Sequence, residues 1–142
     1  MSRVPFFVRA LPCLPAIAAA VLLAHPVAGA DRSPVIEVDV VPPPGGGPDR
    51  MEVISGRVTN ADPSLHRIVI FSRTDRWYVQ PYISAPFTTI GRPDGTWSTR
   101  IHLGAEYAVL LVTPAYDPPA TTFDLPREGG DIVAILRVPA RQ

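Results

Sequence analysis

The sequence contains no lysine and a single cysteine, Cys13. One cysteine cannot form a disulfide within the chain, and one thiolate cannot hold a structural metal site by itself. All 13 basic residues are arginines. Disulfides and thiolate metal sites are therefore excluded as a source of stability, and the fold has to rest on a hydrophobic core and its hydrogen bonds.

Net charge is also missing, because 13 basic residues stand against 13 acidic ones. Proteins that bind nucleic acid or an anionic membrane through their electrostatic field concentrate basic residues on one face. The balance predicts that nucleic acid is not a partner of this protein.

Motifs of catalysis and cofactor binding are absent from the sequence. There is no G-x-S-x-G elbow, no H-E-x-x-H pair and no glycine-rich phosphate loop. His66 and His102 could join Glu106 or Asp75 around a metal ion, but no regular spacing groups them. We expect no cofactor, no metal site and no catalytic residues, with a small hydrolase as the weaker alternative.

Residues 1–30 have the order of a secretory signal peptide. Arg3 and Arg9 precede an apolar run, and the segment ends in small residues at Ala30. The run is broken by prolines and is short against the ~20 apolar residues of a spanning helix. We expect cleavage after Ala30, a periplasmic or secreted product without Cys13, and no stable membrane insertion after processing.

The remaining sequence predicts short strands separated by turns rich in Pro, Gly, Asn and Asp. Its apolar residues alternate with polar ones or form short runs, and no segment has a helical period. The predicted strands cover residues 35–41, 51–59, 66–72, 77–82, 88–90, 96–104, 106–114 and 131–138. This pattern indicates an all-β protein, an immunoglobulin/fibronectin-like β-sandwich of seven to eight strands, with a small closed barrel as the alternative.

The chain accordingly divides into a signal peptide (1–30), an N-terminal strand with a Pro/Gly-rich linker (31–50) and the remainder of the sandwich (51–142). The segment PPPGGGPDR at 42–50 predicts an exposed loop or linker. HRIVIFS at 66–72 is typical of a central strand covered on both faces. Gly56 within a strand predicts a bulge or a close approach of two backbones.

WYVQPY at 77–82 holds the candidate binding residues. In an extended strand Tyr78, Gln80 and Tyr82 share one face, because side chains alternate across the pleat. Two tyrosine rings and an amide could bind a sugar chain, although tyrosines also cover the outer faces of sheets for packing reasons alone. Trp77 and Trp97 lie in the apolar phase of their strands, so we expect both between the two sheets.

Several short segments of the sequence resemble those of a bacterial secreted β-sandwich domain. This domain is sometimes found with laminarinase-type glycoside hydrolases and is otherwise uncharacterised. The resemblance covers residues 54–134 and is carried by SGRV, IVIFSRTDRWYVQPY, APFTTI, DGTW, IHLGAEYAVLLV and LPREGG. It implies an association with polysaccharides but no catalytic signature, and no hydrolase is attached here.

These observations lead to two functional hypotheses. The first is an exported, non-enzymatic binding module for carbohydrate or cell-wall material, with Tyr78, Gln80 and Tyr82 as its ligand-binding residues. The second is a structural or protein-interaction domain with no small ligand, whose contacts involve the Pro-rich segments 42–48 and 114–119. The expected partner is a polysaccharide in the first case and an extracellular protein in the second.

Overall fold

A computed structural model describes residues 32–142, so the predicted signal peptide and its cleavage site lie outside the described residues. Within this range the protein is all-β. The strands are β1 (Val35–Val40), β2 (Met51–Thr59), β3 (Arg67–Arg73), β4 (Trp77–Gln80), β5 (Phe87–Thr88), β6 (Thr96–His102), β7 (Glu106–Val112), β8 (Thr121–Thr122) and β9 (Ile132–Pro139). The two-residue strand β8 lies in the Pro-rich connection, where none was predicted. Among these residues no helix is long and apolar enough to cross a membrane.

The strands form two antiparallel sheets. The smaller sheet, sheet A, has the order β1-β2-β6, and the larger, sheet B, has the order β8-β4-β3-β7-β9 with β5 also paired to β3. If β1, β2 and β6 are equated with strands A, B and E of an immunoglobulin domain, then β3, β7 and β9 take the places of strands C, F and G. The predicted immunoglobulin/fibronectin-like β-sandwich is confirmed, and the closed barrel is wrong because the two sheets remain separate.

Strands β3 and β7 form the centre of sheet B and are buried on both faces. Their apolar runs leave no polar phase for solvent, as expected for strands with a layer on either side. One face packs on sheet A, and the resulting core contains Ile36, Ile54, Val58, Ile68, Ile70, Trp97, Ile101, Tyr107, Val109 and Leu111. Trp97 is therefore buried between the sheets, as predicted.

The other face of sheet B is covered by the connection from β7 to β9, residues 113–131, here called the outer loop. Tyr116 and Leu125 of this loop pack against a second apolar cluster, which consists of Val69, Phe71, Trp77, Val79, Ala108, Leu110, Val112 and Ile132. Two hydrogen bonds close the base of the loop, since the backbone N–H and the hydroxyl of Thr113 donate to Asp131 at 2.9 and 2.6 Å. The outer loop thus covers one face of sheet B, and sheet A covers the other.

Trp77 belongs to this second cluster, so its predicted position between the sheets is wrong. It is buried, as its phase implied, but it lies under the outer loop. The guanidinium carbons of Arg73 and Arg137 lie 5.7 and 5.5 Å from its ring centroid. Both arginines also pair with Glu106, whose pKa is lowered first by the hydrogen bond from Arg137. Period-2 alternation identifies a buried phase, but it cannot say which of two covers buries it.

Gly56 provides both features that its place in a strand predicted. The pairing of β1 with β2 shifts between Val38 and Val40, opposite Gly56, so that one residue of β1 is a bulge. A Cβ atom at position 56 would lie 2.8 Å from Cζ2 of Trp97 and would overlap the carbonyl oxygen of Glu37. The absence of a side chain at Gly56 therefore lets the Trp97 ring lie against β2.

Tyr107 links two loops at one end of the sandwich. Its buried hydroxyl accepts a hydrogen bond from the backbone N–H of Gly104 at 3.2 Å and donates to the carbonyl of Pro43 at 2.9 Å. In immunoglobulin-like domains a tyrosine at the start of strand F, the counterpart of β7, is known to bond to the backbone a few residues upstream. Pro43 belongs to the segment 42–50, and its neighbour Pro42 is fully buried, so the prediction of an exposed loop is wrong for the start of this segment, which is fixed to the domain here.

We expect Trp97→Ala to lower the free energy of unfolding by about 3–5 kcal/mol, because a large buried ring is removed between two sheets. Trp97→Phe should cost less, since it keeps an aromatic ring and removes an indole N–H that has no acceptor within residues 32–142. Urea denaturation measures both. An unchanged midpoint for Trp97→Ala would contradict its buried position.

Tyr107→Phe should destabilise the protein by about 1–3 kcal/mol, because it leaves the Gly104 N–H and the Pro43 carbonyl without their partner. Tyr82→Phe is the matched control, since the Tyr82 hydroxyl contacts Sδ of Met51 at 3.6 Å and should cost less than about 0.5 kcal/mol. Equal midpoints for the two variants in urea would argue against a structural role for the Tyr107 hydroxyl.

Candidate functional site

A cavity of about 360 Å³ opens at one side of the sandwich, where β4 of sheet B faces the end of β6 of sheet A. We call it the edge cavity. Its walls are formed by Gly47, Pro48, Ser72, Thr74, Tyr78, Val79, Gln80, Pro81, His102 and Leu103. Its volume lies at the lower end of the range of small-ligand sites.

The pairing of β3 with β4 places the polar residues of β4 on the inner side of sheet B. Gln80 lies opposite Ile70, and Tyr78 lies opposite Ser72. Directly opposite residues of an antiparallel pair point to the same face, and Ile70 belongs to the core between the sheets. Tyr78 and Gln80 thus face the sheet A side, at the margin where the apolar core ends.

Two buried polar side chains of sheet B bind the backbone of His102 at the end of β6. Ser72, 2% exposed, donates its hydroxyl hydrogen to the His102 carbonyl at 2.8 Å. Gln80, 4% exposed, accepts the His102 backbone N–H on Oε1 at 2.9 Å. These bonds join the two sheets beside the edge cavity, and they satisfy backbone groups that β6 would otherwise present as an unpaired edge.

The same contact determines which nitrogen of the His102 ring carries the proton. A backbone N–H can only donate, so the Gln80 atom next to it must be the oxygen. That oxygen also lies 3.1 Å from Nδ1 of His102, and because it is an acceptor, Nδ1 must be protonated. In the neutral ring Nε2 is then a hydrogen-bond acceptor.

The Tyr78 ring is oriented by an exposed carboxylate. Its hydroxyl donates to Oδ1 of Asp75 at 2.9 Å, and Asp75 also accepts hydrogen bonds from Thr74 and Arg76. The hydrogen bond from Tyr78 is the largest cause that lowers the pKa of Asp75 to about 2, followed by that from Arg76. The same bond raises the pKa of Tyr78. This hydroxyl therefore stays protonated and directs its hydrogen towards the ionised Asp75.

Tyr82 lies outside β4, in the turn that follows it. The strand ends at Gln80, a cis peptide bond leads into Pro81, and Tyr82 forms an isolated bridge with Ala85. Its ring contacts the His102 ring edge to face, with centroids 5.5 Å apart and an interplanar angle of 74°.

The three predicted binding residues therefore differ in their accessibility. Tyr78 and Tyr82 are 37% and 52% exposed, whereas Gln80 is buried between them. The outer loop covers the opposite side of β4, at Trp77 and Val79, and leaves both tyrosines open to solvent. The three residues do not form one exposed surface, as predicted, but two exposed rings on either side of a buried amide.

Sequence reasoning did not place Ser72, Thr74 or Asp75 at this site. Ser72 directly follows the apolar run of β3, and its one signal was a hydroxyl two residues after the core residue Ile70. Asp75 and Thr74 lie in the turn between β3 and β4, so their contact with Tyr78 depends on the geometry of that turn. His102 was noted as a possible metal ligand, but residues 32–142 contain no group of three or more potential metal-ligating side chains.

Comparisons with known proteins give no relative for this chain. No family model matches it, and no curated protein or solved structure matches it either.

The Asp75–Tyr78 hydrogen bond makes a titration prediction. Asp75 should titrate at about 2 and should move towards the ordinary value of 3.8 in Tyr78→Phe, because the largest stabiliser of its charged form is removed. Carboxyl-carbon NMR across the acid range measures this. Asp62 is the internal reference, since its pKa is lowered by hydrogen bonds from Ser64 and should not change. An unaltered Asp75 titration in the variant would contradict the contact.

Proposed function

We propose that this protein is an exported, non-enzymatic module that binds carbohydrate at the edge cavity and the two tyrosines beside it. The observation that carries the proposal is the pair of exposed rings, Tyr78 and Tyr82, next to a cavity with buried polar groups at its wall. The order of charged, apolar and small residues in positions 1–30 supports export.

The chemistry of these residues suits a sugar. A tyrosine ring has an apolar face that can lie against sugar C–H groups and a polar end that binds a hydroxyl. Ser72, Gln80 and His102 add polar atoms around the cavity. Ligand sites generally combine apolar walls with a few fixed polar groups, which is the composition found here, with Pro48, Pro81 and Leu103 as apolar wall residues. The resemblance to a secreted domain associated with glycoside hydrolases points to the same ligand class.

The binding should be weak. Association costs several kcal/mol before any contact appears as affinity. Two partly exposed rings and one small cavity offset only part of that cost, so we expect dissociation constants near the millimolar end, about −4 kcal/mol.

A protein-interaction domain is the second candidate. Ile83 and Phe87, close to Tyr82 in the sequence, are also exposed, so exposed apolar side chains in this part of the chain are not confined to the tyrosines. Binding of this protein to an immobilised extracellular protein, without binding to any immobilised glycan, would favour this second function.

Replacing Tyr78 and Tyr82 together by Ala should abolish glycan binding, because both stacking surfaces are removed. The melting temperature should change little, since neither ring belongs to an apolar cluster of the core. Affinity electrophoresis or a glycan array with the purified protein measures the binding, and thermal unfolding measures the stability.

Phe123→Ala is the matched control, because Phe123 is 70% exposed, belongs to the outer loop and packs against Arg76 rather than the cavity. This variant should bind as the wild type does. Equal binding by the wild type and the double variant, or equal loss in the Phe123 variant, would contradict the proposed site.

A further inference from the structure

We propose that the edge cavity selects a ligand that donates hydrogen bonds, such as a sugar with free hydroxyls, and rejects anionic glycans, because the hydroxyl and imidazole hydrogens around it are already donated to protein acceptors. This inference rests on the proposed function and specifies its ligand class. It follows from counting which hydrogen-bonding atoms of the cavity remain free.

The hydroxyl hydrogen of Ser72 is not available to a ligand. Its partner is the carbonyl oxygen of His102, at 2.8 Å. A carbonyl oxygen can only accept, so Ser72 must donate to it. What Ser72 can still offer is the lone pairs of Oγ.

The hydroxyls of Tyr78 and Thr74 are committed in the same way. Both lie within hydrogen-bond distance of Oδ1 of Asp75, at 2.9 and 3.1 Å. An ionised carboxylate can only accept, and Asp75 remains ionised throughout the physiological range because its pKa is about 2. Each hydroxyl therefore directs its hydrogen at Asp75 and leaves its oxygen lone pairs free.

His102 and Gln80 complete the set. The proton on Nδ1 of His102 is held by Gln80, so the free ring nitrogen of the neutral form is an acceptor. Oε1 of Gln80 already accepts from two groups of His102, and its amide nitrogen donates one hydrogen to the carbonyl of Tyr78 at 3.3 Å. One amide hydrogen of Gln80 is then the single side-chain donor left among these residues.

The charges near the cavity act in the same direction. Its wall contains no arginine and no acidic residue. Arg76, next to Asp75 in the sequence, pairs with that carboxylate at 3.0 Å. A carboxylate, sulfate or phosphate brings acceptors alone, so it would meet lone pairs and the nearby charge of Asp75. A sugar hydroxyl brings the missing donor.

Three oligosaccharides of equal length test this: a neutral hexose oligomer, a uronic acid oligomer and a glucosamine oligomer. We expect the full chain to bind the neutral oligomer at least about tenfold more tightly than the uronic acid oligomer, because the carboxylates of the latter would find no free hydrogen-bond donors in the cavity wall. Isothermal titration or chemical-shift perturbation at low ionic strength measures the affinities.

Two variants should change the preference. Thr74→Arg adds a cation at an exposed wall position and should raise affinity for the uronic acid oligomer by about tenfold. Thr59→Arg is its matched control, since Thr59 is also exposed but lies at the opposite end of β2 from Met51, roughly 25 Å away. Asp75→Ala removes the shared acceptor of Thr74 and Tyr78, leaves both hydroxyls free to donate, and should also weaken the discrimination.

The outcomes separate this inference from the proposed function. Binding of none of the three oligomers contradicts both. Binding of the uronic acid oligomer as tightly as the neutral one overturns the ligand class and leaves a glycan-binding module. Identical behaviour of Thr74→Arg and Thr59→Arg would show that the ligand does not lie in the edge cavity.

Discussion

The rest of the structure depends on one constraint, that the central pair of strands β3 and β7 is apolar on both faces. A sheet of this kind must be covered twice, because each exposed apolar face costs about 25 cal/mol per Å² left in water. Sheet A supplies the first cover. The outer loop, fixed at its base by Thr113 and Asp131 and packed through Tyr116 and Leu125, supplies the second.

That second cover decides which side of β4 can serve as a site. Because the outer loop lies over Trp77 and Val79, the opposite side of the strand is left with Tyr78 and Gln80, towards sheet A. Sheet A does not close over them with apolar residues. Instead, the polar side chains of Ser72 and Gln80 bind the backbone of His102, and the core ends in a cavity rather than in a packed seam.

The hydrogen bonds that close the core also define the chemistry of the site. Ser72 and Gln80 are buried because they satisfy backbone groups of β6, as buried polar groups must be satisfied. In doing so Ser72 uses its hydroxyl hydrogen and Gln80 accepts the Nδ1 hydrogen of His102, so neither hydrogen is free for a ligand. Asp75 has the same effect on Thr74 and Tyr78. Structural stability and the proposed ligand preference thus come from the same contacts.

The strand pattern, the doubly covered strand at 66–72, the close approach at Gly56 and the burial of Trp97 follow from the sequence, because hydrophobic periodicity and the lack of a side chain act locally. Whether Trp77 lies between the sheets or under the outer loop was decided by the tertiary structure, as was the burial of Gln80 between Tyr78 and Tyr82. Alternation states that a side chain is covered, but part of the cover of Trp77 comes from residues distant in the sequence, such as Arg137, and Gln80 meets His102 only once the two sheets have packed.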